Sequence, residues 1–243
     1  MRAVLWLSIA ATLGALMTSP VFAQDILIDM GDDGSLATRS IQLLVMITVL
    51  SLVPGLAVMI TCFPFIVTVL SILRQAIGLQ QSPPNMLIIS LALFLTWFVM
   101  DPVFTEAWVN GIEPMQNGSL DLQAAIPAVL APFRAFMAAR LDGDTYAAMQ
   151  ALRPGVEAVP LEAPLSLLVP SFILSEIQRA FEIGFLIYLP FLIIDLVVAA
   201  VLMSMGMMMV PPAVVSMPFK LAFFVVADGW SLVSGALVRS YLS

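Results

Sequence analysis

Not one charged residue interrupts positions 41–73. That run exceeds the roughly 20 apolar residues needed to cross the hydrocarbon of a bilayer. It is followed by further apolar stretches at 86–100, 165–209 and 213–238. Over the whole chain, hydrophobic residues make up 61% and charged residues 10%, where a soluble domain carries roughly 25% charged. Too little polar surface remains to cover a water-facing fold. Apolar surface must therefore meet lipid or partner subunits.

The same composition excludes several chemistries. Histidine is absent and Cys62 is the single cysteine. No Ser-His-Asp or Cys-His machinery, histidine metal ligand or intrachain disulfide is available. Phosphate-binding loops, dinucleotide fingerprints and zinc-protease helices are likewise missing. The sequence thus gives no enzyme, no metal site and no cofactor. A net charge of −7 with nine scattered basic residues argues against a nucleic-acid surface.

Residues 1–23 read as a cleavable signal peptide: Arg2, a short apolar run over 4–16, then Val21-Phe22-Ala23 with small residues where a signal peptidase requires them. The alternative is an uncleaved first span, although Pro20 interrupts it short of bilayer thickness. Residues 24–40 follow as an acidic extracytoplasmic segment, and 41–243 form the core. Within 41–73, Pro54-Gly55 and Pro64 predict a kinked or broken helix pair. The segment 86–100 is expected to stop at Asp101-Pro102. Residues 103–164 are a more polar, outward-facing region, with at least one amphipathic helix over the alanine-rich 124–141. The stretch 165–209 is too long for a simple span. With 213–238 it predicts a long hairpin turning at Pro211-Pro212. The fold class is all-α, built from membrane-associated hairpins and kinked helices. The short loop after Arg74 has a base and no acid, whereas 101–164 has a net charge of −5, summing the residues of the sequence. The positive-inside tendency puts the short loop in the cytoplasm and the larger region outside.

Two features within the apolar stretches carry functional weight. Glu176, Asp195, Lys220 and Asp228 are ionisable groups that are expensive to leave unpaired in lipid. They fit a proton or ion path, or else pairing within and between subunits on helices not immersed in lipid. Arg179 and Glu182 are placed for local pairs at three or four residues. Second, Met203, Met205, Met207, Met208 and Met209 crowd before the double proline. Unbranched, adaptable methionines can seal an opening and still yield to varied cargo; ordinary lipid or core packing is the plainer alternative.

SFILSEIQRAFEIG at 171–184, FLIYLPFLIIDLVVAAVLMSMGMMMVPP at 185–212 and PFKLAFFVVADGW at 218–230 resemble the FliP family, as do VLSILRQAIGLQQSPPN at 69–85 and LALFLTWFVMDPV at 91–103. That resemblance implies a protein-conducting gate subunit of the flagellar type III export apparatus, with the flagellar branch favoured over the injectisome branch. It implies five P subunits joined with one R and four Q subunits in a helical, right-handed gate. This gate would be held to the periplasmic side of the inner membrane in the flagellar basal body. Further implied partners are the large export-gate channel subunit, the B-type export subunit, ring and rod proteins, exported flagellar proteins and lipid. Met207, Met208 and Met209 match the family's pore-closing methionine loop; Glu176, Asp195, Lys220 and Asp228 match its charged positions. Two departures stand out: Thr61-Cys62-Phe63-Pro64-Phe65-Ile66 lacks the family's usual arginine, and Asp101 replaces its usual serine. The reading from another class is an ion- or proton-coupled transporter using the buried acids.

Overall fold

The computed structural model describes residues 36–78, 83–153, 155 and 158–242. The expected signal peptide and most of the acidic segment after it lie outside these residues. Every described element is helical. α1 spans Leu36–Met59, α2 Phe63–Ile77 and α3 Asn85–Ala107. A π-helical turn, Trp108–Ile112, leads into the single turn α4, Glu113–Gln116. Then come α5 Leu122–Arg140, α6 Gly143–Ala151, α7 Leu165–Ser204, α8 Pro212–Val226 and α9 Gly229–Leu242. The chain divides into two compact units, residues 1–49 and 50–243, and the core belongs to the second.

The uncharged run at 41–73 forms a broken pair, as its prolines predict. The break falls at residues 60–62, so Pro64 enters the first turn of α2, where its missing N–H would have no partner in any case. Pro54 stays inside α1. The expected stop at Asp101-Pro102 does not occur. α3 runs through Pro102 to Ala107, and the π turn carries the helical path on to Gln116. Both Asp101 and Pro102 are exposed, so the carboxylate needs no break in the helix to stay out of the core. A residue before proline is also only biased away from helix, not barred from it.

The stretch after residue 165 is one helix of 40 residues, about 60 Å long at 1.5 Å per residue. It is twice the roughly 30 Å of a hydrocarbon core. Its two halves differ. Leu168, Phe172, Ser175 and Glu176 through Ala180 and Gly184 lie buried at three-to-four spacing, but beyond Phe191 only Leu202 is buried. The first half packs into the molecule; the second pairs with α8 as the arm of a hairpin.

The centre of the core is α2, at 15 residues too short to cross a bilayer. Phe65, Ile66, Val69, Leu70 and Leu73 are wholly enclosed by Ile88, Ala92, Val99 and Met100 of α3, Ala180 and Phe191 of α7, Phe224 of α8, and Val233 and Leu237 of α9. α2 lies tight on α7 because position 184 is glycine. A Cβ there would come within 2.4 Å of Ile72 Cδ1. By contrast, four helices among the described residues are long and apolar enough to span: Arg39–Met59, Asn85–Gln116, Leu122–Arg140 and Leu165–Ser204. Counted as one span, the pair α8 and α9, bent by 61°, adds a fifth. Their apolar side chains are largely exposed in the single chain, among them Leu44, Phe94, Trp97, Phe185 and Leu196.

Candidate functional site

The methionine loop is built by the way α7 ends. Gly206 takes φ 74°, a left-handed conformation open to a residue without a Cβ. Its N–H donates to the Met203 carbonyl at 3.0 Å, and the Met207 N–H donates to the Leu202 carbonyl at 2.9 Å. This pair of bonds is a Schellman cap, which satisfies the last carbonyls of α7 and turns the chain out sideways. Pro211 and Pro212 then start α8, Pro212 standing in its first turn. The backbone of the loop is thus fixed at both ends while its side chains project. Met208 is 84% and Met209 97% exposed, and Met207 42%. Met205 and Met207 also line an apolar cavity of about 550 Å³ between the hairpin arms, with Val198, Val201, Val215 and Phe219.

Below the loop, Asp195 of α7 meets α8 through one turn of that helix. Lys220 Nζ lies 2.5 Å from Asp195 Oδ2, and the Ser216 hydroxyl donates to Oδ1. Ser216 and Lys220 are four residues apart, so they share a face. Lys220 is buried. A Cβ on Gly78 would stand 3.9 Å from its ammonium, so the cation also sits at the C-terminal end of α2, where the helix dipole is negative.

Glu176 lies deeper and is fully enclosed. Its Oε1 accepts from Arg140 Nε of α5 at 3.2 Å and is 4.0 Å from Arg179 Nη1. Its Oε2 accepts from the Tyr241 hydroxyl of α9. Arg140 also donates from Nη1 to the Ser240 carbonyl at 2.9 Å, and its guanidinium lies 4.1 Å from the Tyr241 ring centroid. One carboxylate thus fastens three helices. Glu182 binds Gln178 Nε2 at 3.1 Å rather than Arg179.

Asp228 sits apart from both clusters. It is exposed, at the bend between α8 and α9, with φ 48°; aspartate tolerates that left-handed region better than most residues. The structure therefore joins Asp195 to Lys220, gives Glu176 a separate set of partners, and brings Asp228 to neither.

Arg140, Ser216 and Tyr241 were not singled out from sequence. Arg140 reads as a surface base at the end of an amphipathic helix, 36 positions from Glu176, and no local spacing connects the two. Ser216 had a usable signal, since it lies one turn before a lysine in an apolar helix. Cys62 is buried beside Thr96, and burial pushes its thiol up to about 12. At neutral pH it is an inert packing group.

Residues 46–237 match the model of the FliP family. Among curated relatives, the flagellar biosynthetic protein FliP of Caulobacter vibrioides is 48% identical, with 99% of this chain and 91% of that protein covered. The protein of the same name from Agrobacterium fabrum is 46% identical, covering 86% of each chain. That of Bacillus subtilis is 42% identical over 84% of this chain and 93% of its own length.

Proposed function

The chain belongs to the FliP family, and from that premise we infer how its parts serve an export gate. It is a non-enzymatic pore subunit of the flagellar type III export apparatus, in the inner membrane at the flagellar basal body, working with other export-gate components. Our proposal concerns the assembly and the closure. Five copies join one R and four Q subunits in a right-handed helical gate, raised toward the periplasmic side. Met207, Met208 and Met209 of each copy meet on its axis and close the resting pore.

One observation carries the closure. Met208 and Met209 are almost bare in the single chain, yet they stand on a loop held by the cap of α7 at one end and by Pro211-Pro212 at the other. Large apolar side chains held outward on a fixed turn require a partner surface, and copies of the same loop around an axis supply one. A 40-residue helix that outruns the bilayer supports a gate standing clear of it. So do the long apolar faces of α1 and α3, which sister subunits would cover. Glu176, Asp195 and Lys220 hold their helices together inside the subunit, and no observation favours an ion-coupled transporter.

The test is the triple replacement Met207→Ala, Met208→Ala and Met209→Ala in a secretion-competent strain, with resting ion leak as readout. Leak should rise well above background. Leak that stays at background overturns the gasket. The mass of the complex after gentle detergent extraction checks the stoichiometry separately.

A further inference from the structure

The two arms of the methionine hairpin meet in two chemically different ways. Around the cavity of about 550 Å³ the walls include Val198, Val201, Val215 and Phe219. Apolar contact of that kind is non-directional, so it holds the arms together without fixing where along each other they stand. Below the cavity the hold is directional. Asp195 offers Oδ1 to the Ser216 hydroxyl and Oδ2 to the Lys220 ammonium. Among the described residues these are the side-chain hydrogen bonds that join the two arms.

The two donors are not equivalent. Lys220 carries three donors on a flexible four-carbon stem, which follows a carboxylate when one helix slides against another. Ser216 carries its hydroxyl on a single carbon. It is fully enclosed, on the face of α8 that it shares with Lys220, and it reaches Oδ1 in one register of the arms. Its oxygen also lies 3.2 Å from the Ala213 carbonyl of its own helix, which would take the hydroxyl hydrogen once that register slips. Lysine supplies the strength and serine the register.

We propose that Ser216 is a positioning residue of the resting gate. Its hydroxyl on Asp195 fixes the register of α7 against α8, and with it the place of Met207, Met208 and Met209 on the axis. This rests on the gasket reading. The path from tie to seal is short. Asp195 stands nine residues before the end of α7, about 14 Å, and Ser216 four residues after the start of α8, about 6 Å. The loop between them is bound to α7 by the cap bonds of Gly206 and Met207 and enters α8 through Pro211-Pro212. With both ends of the loop held, a slip of one arm moves the methionines. The tie joins two helices of one chain and both its donors are buried there, so it does not depend on what covers the outer faces of the hairpin.

The experiment uses the full chain in the assembled gate, in lipid bilayers, with complex mass and single-channel conductance read on the same sample. Ser216→Ala keeps the ion pair and should leave the mass unchanged, while resting conductance rises several-fold and spreads over more than one level. Ser216→Cys fills the same space with a weak donor and should behave as Ser216→Ala does. Ser216→Thr keeps the hydroxyl and should restore the closed level. Wild-type resting conductance in both the Ser216→Ala and Ser216→Cys gates overturns the proposal. So does a Ser216→Thr gate that leaks like Ser216→Ala, or loss of the complex in Ser216→Ala and Ser216→Cys, which would assign the residue to folding. The Met207→Ala/Met208→Ala/Met209→Ala gate separates the two claims. If it leaks while the Ser216→Ala gate stays closed, this inference fails and the gasket stands. If neither leaks, or only Ser216→Ala does, both fail.

Discussion

Tyr241 donates its hydroxyl hydrogen to the carboxylate of Glu176, 65 positions earlier in the chain, while Arg140 holds the same carboxylate and covers the tyrosine ring. The three groups fasten α9 to α5 and α7, while Arg140 Nη1 also donates to the Ser240 carbonyl and Arg179 Nη1 lies 4.0 Å from Glu176 Oε1. Removing one member of a buried ion pair strands the other at a cost of about 3–5 kcal/mol. Glu176→Ala should therefore destabilise the subunit by that order, and Tyr241→Phe by about 1.5–3 kcal/mol, the usual worth of a hydrogen bond to a charged group. Unfolding of the solubilised protein across the double-mutant cycle measures the coupling. Additive effects would show that the clasp is not one energetic unit.

Gly184 sets the distance between α2 and α7. Gly184→Val drives a side chain into Ile72, whose Cδ1 lies 2.4 Å from the nearest possible Cβ. Overpacking of this kind costs about 1–3 kcal/mol. Ile72→Ala should recover part of the loss in the double variant while destabilising the protein alone. A double variant no better than Gly184→Val would put the strain elsewhere.

The thiol of Cys62 gives a pH test. Its pKa is raised to about 12 by burial, whereas an ordinary cysteine titrates near 8.5. Maleimide labelling of the folded protein should stay slow from pH 7 to 9. Over the same range, labelling of denatured chain rises with thiolate. Fast labelling of folded protein at pH 8 would mean that the space between α2 and α3 opens readily.

Asp142 caps α6. Its Oδ1 accepts from the Thr145 N–H and hydroxyl, each at 2.8 Å. Those two bonds, the N–H first, lower its pKa below the ordinary value. A lowered folded pKa means stabilisation fully present above the unfolded value of roughly 3.9 and lost as pH falls through the folded one. Hydrogen exchange at the first amides of α6 should be flat from neutral pH down to about pH 4 once intrinsic rates are removed, and protection should fade on further acidification. Asp142→Ala should lower protection at neutral pH and abolish that acid step. An unaltered acid step in this variant would assign it to another group.

What could be read in advance follows a physical division. Pro211-Pro212, the apolar runs on either side and the methionine crowd before them are local signals, and the hairpin turns where they put it, although its closing segment 213–238 breaks into α8 and α9 with a 61° bend that the apolar run does not announce. The break between α1 and α2 did too. Asp101-Pro102 misled, because a helix tolerates a polar pair on its outer face when nothing beyond it competes. The 40-residue α7 was legible as too long for one crossing, but not as a single rod. The partner of Glu176 was beyond reach: Arg140 arrives from another helix, and sequence separation says nothing about that meeting. Hydropathy does not mark α2 out either, since it is the second part of the same uncharged run that holds most of α1. Its burial is a property of the packed molecule and not of its composition.

The position of α2 at the centre has a consequence for how the protein is made. Its closest neighbour, α7, follows after roughly 90 residues of chain, a delay of about 5–20 s at roughly 5–20 residues per second of translation. During that interval a short apolar rod, poorly suited to cross the bilayer alone, emerges from the ribosome with its main partner still untranslated. The subunit cannot acquire its finished interior in the order in which it is written. A nascent chain stalled before residue 165 should remain a loose set of lipid-bound segments, open to insertases and proteases alike.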